Sequence, residues 1–434
     1  MKHLRFFVFF LCAFSLLADR SLQAADLSYD PYAPVYGEAP KPASNLKKGF
    51  STVLIFPLEL VRRPVDWGLN YTEQHHLYTK GIWAYDFVQD FGITPKLGIW
   101  KAGVDVDFVR LARQKVNHPD LTFKGDVFYE SDVFSAGGRV GLERIGDLPI
   151  HVFQDVRYEN RPNELFYGIG PRTSRGDEAT YQQESTELMS IVGVSPTPTL
   201  STDLKAGYRH INITNGASSG RGIIDQVFSG KDVPGLDGDE LFTTGIAIER
   251  DTRNQDRNST VGSLVRAGVD FNEGLFGSDA RYLKYILEGS KYLKLGSERR
   301  ILAGHLYSEY NQETHGKEVP FHQMARLGGY GDFPRLSQPL RGYDTNRFYD
   351  RAALLMNLEY RYTVYEYRDW KMDTVFFWDE GQVYNRMSKF RFDLFKESYG
   401  LGLRLSVLNH TIVSVEVAHG DEGTNFYVKS GAPF

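Results

Sequence analysis

The sequence predicts an all-β protein, a sixteen-stranded antiparallel transmembrane β-barrel with a lumen-inserted loop and a short N-terminal helical segment. Three observations support this prediction. Aromatic residues make up 14% of the 434 residues, with 26 Tyr and 29 Phe, and there are 42 Gly. From about residue 91 onward, apolar and polar residues alternate with a period of two. No later stretch has about 18 consecutive apolar residues, so a membrane could be crossed only by strands.

Composition alone leaves two classes of protein open. A membrane barrel needs aromatic residues at two interfaces, apolar residues toward lipid and polar residues toward its lumen. The composition meets these needs, but it fits a soluble β-rich protein equally well. The formal net charge of −5 does not favour nucleic acid as a partner.

The first residues predict export. Lys2 and Arg5 precede an apolar run over residues 6–18, and small residues follow it, which indicates a cleaved signal peptide over residues 1–24. Cys12 is the only cysteine and lies inside this segment. The mature chain is therefore expected to have neither a disulfide nor thiol chemistry.

Residues 25–90 are predicted to form a Pro-rich linker and short amphipathic helices. Apolar residues recur at helical spacing on both sides of Pro57 and Pro64, where a helix would break. These helices could be plain packing elements or, equally well, an interfacial or periplasmic cap on a barrel. Residues 91–434 are predicted to form the barrel itself.

Alternation is clearest near the C-terminus. In the segment YGLGLRLSV, Leu401 and Leu403 fall on one face, whereas Gly402 and Arg404 fall on the other. One face is therefore buried or in lipid, and the other is polar. Counting such segments predicts sixteen strands, near residues 92–100, 102–113, 120–130, 133–145, 149–160, 180–195, 201–213, 241–250, 260–272, 280–294, 299–310, 351–363, 372–385, 397–408, 410–420 and 425–434.

The connections between these strands alternate in length. Short ones alternate with long polar ones, of which residues 214–240 and 311–350 are examples. Outer-membrane barrels show the same asymmetry, with short periplasmic turns and long external loops. An even number of strands brings both ends of the sheet to the same side.

The loop over residues 311–350 contains LRGYDTNRFYDR, in which one arginine stands among large apolar residues. Alternation along FFWDEGQVY and LLMNLEYRY turns Asp379 and Glu359 toward the lumen on neighbouring strands. A charge inside a barrel needs a partner or water, and a planar guanidinium can satisfy two carboxylates. The sequence therefore predicts that the loop folds into the lumen and that Arg341 pairs with both acids. Gly342 would permit a tight turn and a close approach to the wall.

The same residues resemble signature segments of the outer-membrane assembly and translocation superfamily that includes BamA and TamA, also called the bacterial surface antigen family. The family's loop motif, [VIL]-R-G-[FY], is matched by Leu340, Arg341, Gly342 and Tyr343. Its strand motifs and its closing strand are matched by Phe377, Asp379 and Gly381 (F-x-D-x-G), by Gly400, Gly402 and Arg404 (G-x-G-x-R), and by Phe434, with Tyr427 inside that last strand.

The resemblance implies a sixteen-stranded barrel whose sixth external loop enters the lumen, with the loop arginine paired to the strand acid. The sequence departs from the family pattern at the N-terminus, where assembly factors of the family carry periplasmic POTRA domains. The pattern of residues 25–90 does not fit a βααββ unit. We therefore expect a member without POTRA domains, although in the family those domains receive the client chains.

The function implied is protein or lipid insertion or translocation at the outer membrane of a Gram-negative cell. The expected partners are outer-membrane lipids and protein or lipid clients, and a monomer is favoured. The first alternative is a passive diffusion channel, similar to a porin, gated by loop 311–350. A further alternative is a structural or adhesive surface protein that acts through loop 214–240. No nucleophile elbow, zinc-protease motif or phosphate-binding loop occurs, so no enzyme activity, cofactor or metal is expected.

Overall fold

The computed structural model describes residues 90–98, 101–109, 121–130, 133–216, 221–228, 230, 233–255, 258–330, 339–367, 370–407 and 410–429. The predicted signal peptide, the predicted helices before residue 90 and the terminal Phe434 lie outside the described residues. No helix within these ranges is long and apolar enough to cross a membrane.

Sixteen long strands account for most of the described chain. They are β1 (Asp90–Gly98), β2 (Lys101–Val109), β3 (Leu121–Glu130), β4 (Val133–Leu142), β5 (Ile150–Phe166), β6 (Ala179–Thr197), β7 (Leu200–Asn215), β9 (Asp239–Asp251), β10 (Gly262–Gly274), β11 (Arg281–Lys294), β12 (Arg300–Glu313), β15 (Ala352–Tyr367), β16 (Trp370–Tyr384), β17 (Lys396–Val407), β18 (His410–Gly420) and β19 (Gly423–Lys429). Each corresponds to one of the sixteen predicted strands.

Three short strands and five short helical turns lie in the connections. The short strands are β8 (Gly222–Ile223), β13 (Ala325–Leu327) and β14 (Phe348–Asp350). The helical turns are Ile224–Val227, which is α-helical, and the 3-10 turns Arg175–Asp177, Phe321–Gln323, Met387–Lys389 and Phe392–Leu394.

The long strands pair antiparallel with their sequence neighbours from β1 to β19. The sheet also bends back on itself. Arg175, between β5 and β6, donates to the main-chain oxygen of Glu422 between β18 and β19, with a donor–acceptor distance of 3.3 Å. Because distant parts of the sheet meet in this way, the predicted sixteen-stranded antiparallel barrel is confirmed.

The two faces of each strand differ as alternation predicts. On β16, the Phe376 side chain is 53% exposed, whereas Phe377 and Asp379 are buried. On β17, Leu401 is 56% exposed and Arg404 is fully buried. The outward face is therefore an apolar surface suited to lipid, and the inward face carries the polar and charged residues.

The connection between β12 and β15 folds into the lumen, as predicted. Its β13 and β14 form a small antiparallel sheet of their own. Leu340, Tyr343 and Phe348 of this connection pack against Leu355 and Val383 on the inner wall. The long-loop end of the lumen is thus filled by protein.

A second apolar cluster lies at the same end of the barrel. It is built around Phe166, Tyr181, Tyr282 and Tyr349, with Phe321 of the inserted connection packed among them. Ring centroids of Phe321 lie 4.9 Å from Phe166 and 5.1 Å from Tyr181. Aromatic burial of this kind excludes water and holds the inserted connection in place.

Candidate functional site

Arg341 lies at the centre of a buried ion network inside the barrel. Its Nε and Nη2 donate to the two carboxylate oxygens of Asp379 at 2.7 and 2.6 Å, which is a bidentate pair. Its Nη1 donates to Glu359 Oε1 at 2.7 Å. The three side chains have no solvent exposure. The structure thus brings together the arginine and the two acids that the sequence singles out.

Asp379 receives further hydrogen bonds that complete its coordination. The main-chain N–H of Arg341 donates to it at 3.2 Å, Asn357 Nδ2 at 2.8 Å and Ser398 Oγ at 3.3 Å. A buried carboxylate is stable only when its lone pairs are satisfied. Asp379 therefore fixes the tip of the inserted connection to strands β15 to β17.

Glu359 is shared by three arginines. Besides Arg341, Arg404 donates to both of its oxygens at 2.8 Å, and Arg361 Nε donates at 2.9 Å. One carboxylate cannot balance three cations, so the network requires further negative charge.

Glu416 on β18 supplies that charge. Arg404 Nη2 donates to it at 2.7 Å, and Arg341 Nη1 lies 3.4 Å from its other oxygen. The Tyr330 hydroxyl also donates to Glu416. Three arginines and three carboxylates, all buried, thus form an electrically balanced cluster.

Phe377 and Gly400 shape the space around the guanidinium. The Arg341 guanidinium carbon lies 3.5 Å from the centroid of the Phe377 ring, a cation–π contact. A Cβ at Gly400 would lie 2.1 Å from the main-chain oxygen of Val417 and 2.4 Å from Phe377 Cζ. The glycine therefore makes room for the ring on which the arginine lies.

The remaining motif glycines also permit close packing. A Cβ at Gly381 would lie 2.9 Å from Leu327 Cδ1 of the inserted connection, and one at Gly402 would lie 2.9 Å from Glu416 Cγ. Gly342 brings the main chain against β17 and β18, because its Cβ would lie 2.5 Å from Ser398 Cβ. Close approach to the wall explains this glycine, whose φ is not in the left-handed region.

The last strand also contacts the tip of the inserted connection. The Tyr427 hydroxyl on β19 donates to the main-chain oxygen of Arg341 at 2.8 Å. The rings of Tyr427 and Tyr330 lie edge to face, with centroids 4.9 Å apart. The ion network is thus connected to both strands of the C-terminal hairpin.

A second buried arginine of the inserted connection, Arg347, ties that connection to the end of the hairpin. Its Nε and Nη2 each donate to a carboxylate oxygen of Glu422 at 2.8 Å. Its Nη1 and Nη2 donate to Thr173 Oγ1 and to the Thr173 main-chain oxygen at 2.8 and 2.7 Å. The guanidinium carbon lies 4.7 Å from the ring centroids of both Tyr167 and Phe348.

Sequence reasoning missed part of this site. Glu416 falls on the polar face of its segment, but alternation gives no indication that it lies level with Arg341. The partners of Tyr330 depend on the path of the loop, and Arg347 lies in the quoted loop segment without a recognised partner. Phe434 lies outside the described residues.

The chemistry of this site is that of a structural lock. Its arginines and acids are joined by direct, charge-assisted hydrogen bonds, which hold the inserted connection against the wall. Among the residues that the structure describes, no group of three His, Cys, Asp or Glu side chains could hold a metal ion.

This architecture defines an outer-membrane β-barrel whose inserted loop is locked to the inner wall by an arginine. The model of the Omp85 superfamily domain matches residues 116–407. The chain therefore belongs to the Omp85 superfamily, as the motifs predict, and its place is the outer membrane.

Two solved structures illustrate the likeness. BamA from Haemophilus ducreyi lacking POTRA domains 1–3 is 14% identical, with a TM-score of 0.54, covering 80% of this chain and 74% of that chain. CdiB from Escherichia coli is 11% identical, with a TM-score of 0.49, covering 78% of this chain and 66% of that chain. The BamA comparison supports the fold. No curated protein sequence matches the chain significantly.

Proposed function

We propose that this protein inserts or translocates macromolecules, protein or lipid, at the outer membrane through the edge of its barrel rather than along its axis. The observation that carries the proposal is the plugged lumen. The packed apolar residues fill its long-loop end, and the buried cluster of Arg341, Glu359, Asp379 and Glu416 closes it nearer the middle of the strands. A polar solute moving along the axis would have to break this cluster.

The lock also favours a role for the C-terminal hairpin. Glu416 on β18, Tyr427 on β19 and Glu422 between them all contact the inserted connection. Movement of these strands would therefore change the contacts that Arg341 makes. An edge formed by the last strand is the natural place for a client to engage, because unpaired strand edges accept further strands.

The test is depletion of the protein, followed by measurement of the outer-membrane levels of other barrel proteins and of outer-leaflet lipid. We expect one of these two classes to fall. Wild-type protein should restore it, whereas Arg341→Ala should not, provided that the variant still folds and reaches the membrane. Unchanged levels of both classes after depletion would contradict the proposal.

The diffusion channel is the second candidate function. Its support is the polar inner wall nearer the short-turn end, where Lys205 pairs with Asp270 at 2.8 Å and Arg266 with Glu249. These partly exposed pairs fit a wet vestibule. A wild-type conductance in planar bilayers that equals that of an open porin would favour this candidate.

A further inference from the structure

The connection between β16 and β17, residues 385–395, combines cations with aromatic rings. The Phe390 ring lies edge-on to Phe392 and Phe395, with centroids 5.2 and 5.6 Å away. Phe392 is 46% exposed and Met387 is 65% exposed. Basic and aromatic residues together at the end of a barrel strand are typical of the membrane–water interface.

A cleft of about 430 Å³ lies between this connection and the loop that follows β5. Three cations line it: Arg172 from that loop, and Lys389 and Arg391 from the β16–β17 connection. Arg391 is oriented by Asp393, which accepts two hydrogen bonds from it at 2.9 Å.

The other two cations are available to a ligand. Arg172 and Lys389 have no ion-pair partner within the described ranges. Asp350 is the one acid in the cleft lining; it is buried and accepts a hydrogen bond from the main-chain N–H of Arg351. The lining is therefore positive and suits an anionic group.

An apolar groove of about 540 Å³ adjoins the cleft on the outer wall. It is lined by Ile246, Ile248, Ala267, Leu287 and Met387, among other residues. The Tyr384 hydroxyl, in the cleft lining, donates to Met387 Sδ at 3.7 Å. The charged cleft and the apolar groove therefore meet at this pair of side chains.

We propose that the cleft and the groove together bind one phosphate-bearing lipid of the outer leaflet. The phosphate lies among Arg172, Lys389 and Arg391, and an acyl chain follows the groove past Ala267. Guanidinium and ammonium groups recognise phosphate through charge-assisted hydrogen bonds. The apolar groove opens on the lipid-facing wall, so a membrane lipid reaches it without leaving the bilayer.

The test uses the full-length protein in a neutral detergent and native mass spectrometry to measure retained ligand. The probes are phosphatidic acid, diacylglycerol with the same acyl chains, and inorganic phosphate. We expect retention of phosphatidic acid well above that of the other two. Each variant is first shown to be folded by its heat-dependent gel migration.

Two variants test the two halves of the site. The double variant Arg172→Gln/Lys389→Gln should weaken phosphatidic acid binding about tenfold, whereas Arg386→Gln, in the same connection but outside the cleft lining, should change it less than about twofold. Ala267→Phe should weaken phosphatidic acid binding and leave inorganic phosphate unaffected, because it fills the groove alone.

Three results would overturn the proposal. Equal binding of inorganic phosphate and phosphatidic acid would show a site for a free anion. An equal loss in Arg386→Gln and in the double variant would show attraction to surface charge in general. Unchanged retention in the double variant would show that the lipid binds elsewhere.

Discussion

At the residue scale, the molecule is organised around charges that are buried in pairs. Arg341, Asp379 and Glu359 can be found from the sequence because β15 and β16 are consecutive strands, so alternation places both acids on one inner wall. Glu416 lies on β18, two strands beyond Asp379, and its height relative to Arg341 depends on the stagger added up over the β16–β17 and β17–β18 pairings. Its place in the network could therefore be learned only from the folded barrel.

Removing the positive charge of Arg341 should destabilise the folded barrel far more than keeping the charge and losing only the bidentate hydrogen bonds. Arg341→Ala leaves Asp379 and Glu359 buried with less positive charge, and we expect a destabilisation of roughly 3–5 kcal/mol. Arg341→Lys keeps the charge and loses the bidentate fork, so its effect should be smaller. The measurement is the temperature at which the folded band disappears in heat-dependent gel migration. Identical temperatures for wild type and Arg341→Ala would count against the lock.

The glycine beneath the aromatic ring offers a test that changes no charge. Gly400→Ala would place a methyl group 2.1 Å from the Val417 oxygen and against Phe377, so the ring and the guanidinium would have to move. We expect a destabilisation of about 1–3 kcal/mol or failure to fold. Gly304→Ala on β12 is the matched control, because nothing lies within 4 Å of its Cβ. Similar folded yields and unfolding temperatures for the two variants would show that close packing at Gly400 does not determine the stability of the barrel.

At the scale of elements, the strands are far more predictable than the connections. All sixteen strands follow from a period of two, and most of their ends lie within a few residues of the expected positions because turn residues interrupt the alternation. The exception is β5, which was expected to end near residue 160 and continues to Phe166. The small β13–β14 sheet was not predicted, since each strand has only three residues. The contact between Thr173 and Arg347 joins loops that are far apart in sequence, and such contacts are set by barrel closure.

The Arg347–Glu422 pair should couple the inserted connection to the C-terminal hairpin. A double-mutant cycle with Arg347→Gln and Glu422→Gln should give a coupling energy of about 1–3 kcal/mol, because Arg347 is buried and the pair is bidentate. The exposed Arg391–Asp393 pair has similar distances and serves as the control, with an expected coupling below about 1 kcal/mol. Equal couplings for the two pairs, measured from unfolding temperatures, would exclude a special role for Arg347.

Asp350, the last residue of β14, should make the stability of the inserted connection depend on pH. Burial raises the pKa of Asp350 to about 6, well above the usual value for an aspartate, and its contacts with Arg351 offset only part of this effect. Because the folded pKa is the higher one, the stabilisation is complete below about pH 4 and is lost as the pH rises through about 6.

Asp350→Asn tests this pH dependence directly. Between pH 4 and 6.5, the wild-type unfolding temperature should fall relative to that of the variant. The fall should correspond to a loss of at most about 3 kcal/mol in the free energy of unfolding. Above about pH 6.5, the difference should stay constant. Parallel curves for wild type and variant across the whole range would show that Asp350 titrates normally.

At the scale of the whole molecule, the barrel divides into two halves with different contents. The long-loop half holds packed apolar clusters. The balanced ion network lies nearer the middle of the strands, where Arg361 also donates to the main-chain oxygen of Ser259 in the β9–β10 connection at 3.3 Å. The inner wall nearer the short-turn end carries partly exposed ion pairs such as Lys205–Asp270. A wall of strands thus encloses a wet vestibule that ends at a protein plug, and the plug, rather than the wall, decides whether solutes can cross.

Electrical conductance measures this division directly. Wild-type protein in a planar bilayer should conduct far less than an open barrel of sixteen strands, because the β12–β15 connection plugs the long-loop end of the lumen. Replacing residues 314–351 by a short Gly/Ser linker should raise the conductance severalfold, since it removes Arg341 and both loop strands at once. The same replacement of residues 385–395, which lie outside the lumen plug, is the control and should leave the conductance at the wild-type level. If the plug deletion folds but conducts no better than the control, then the barrel is narrowed by its own wall, and passage along the axis is closed for a reason other than the lock.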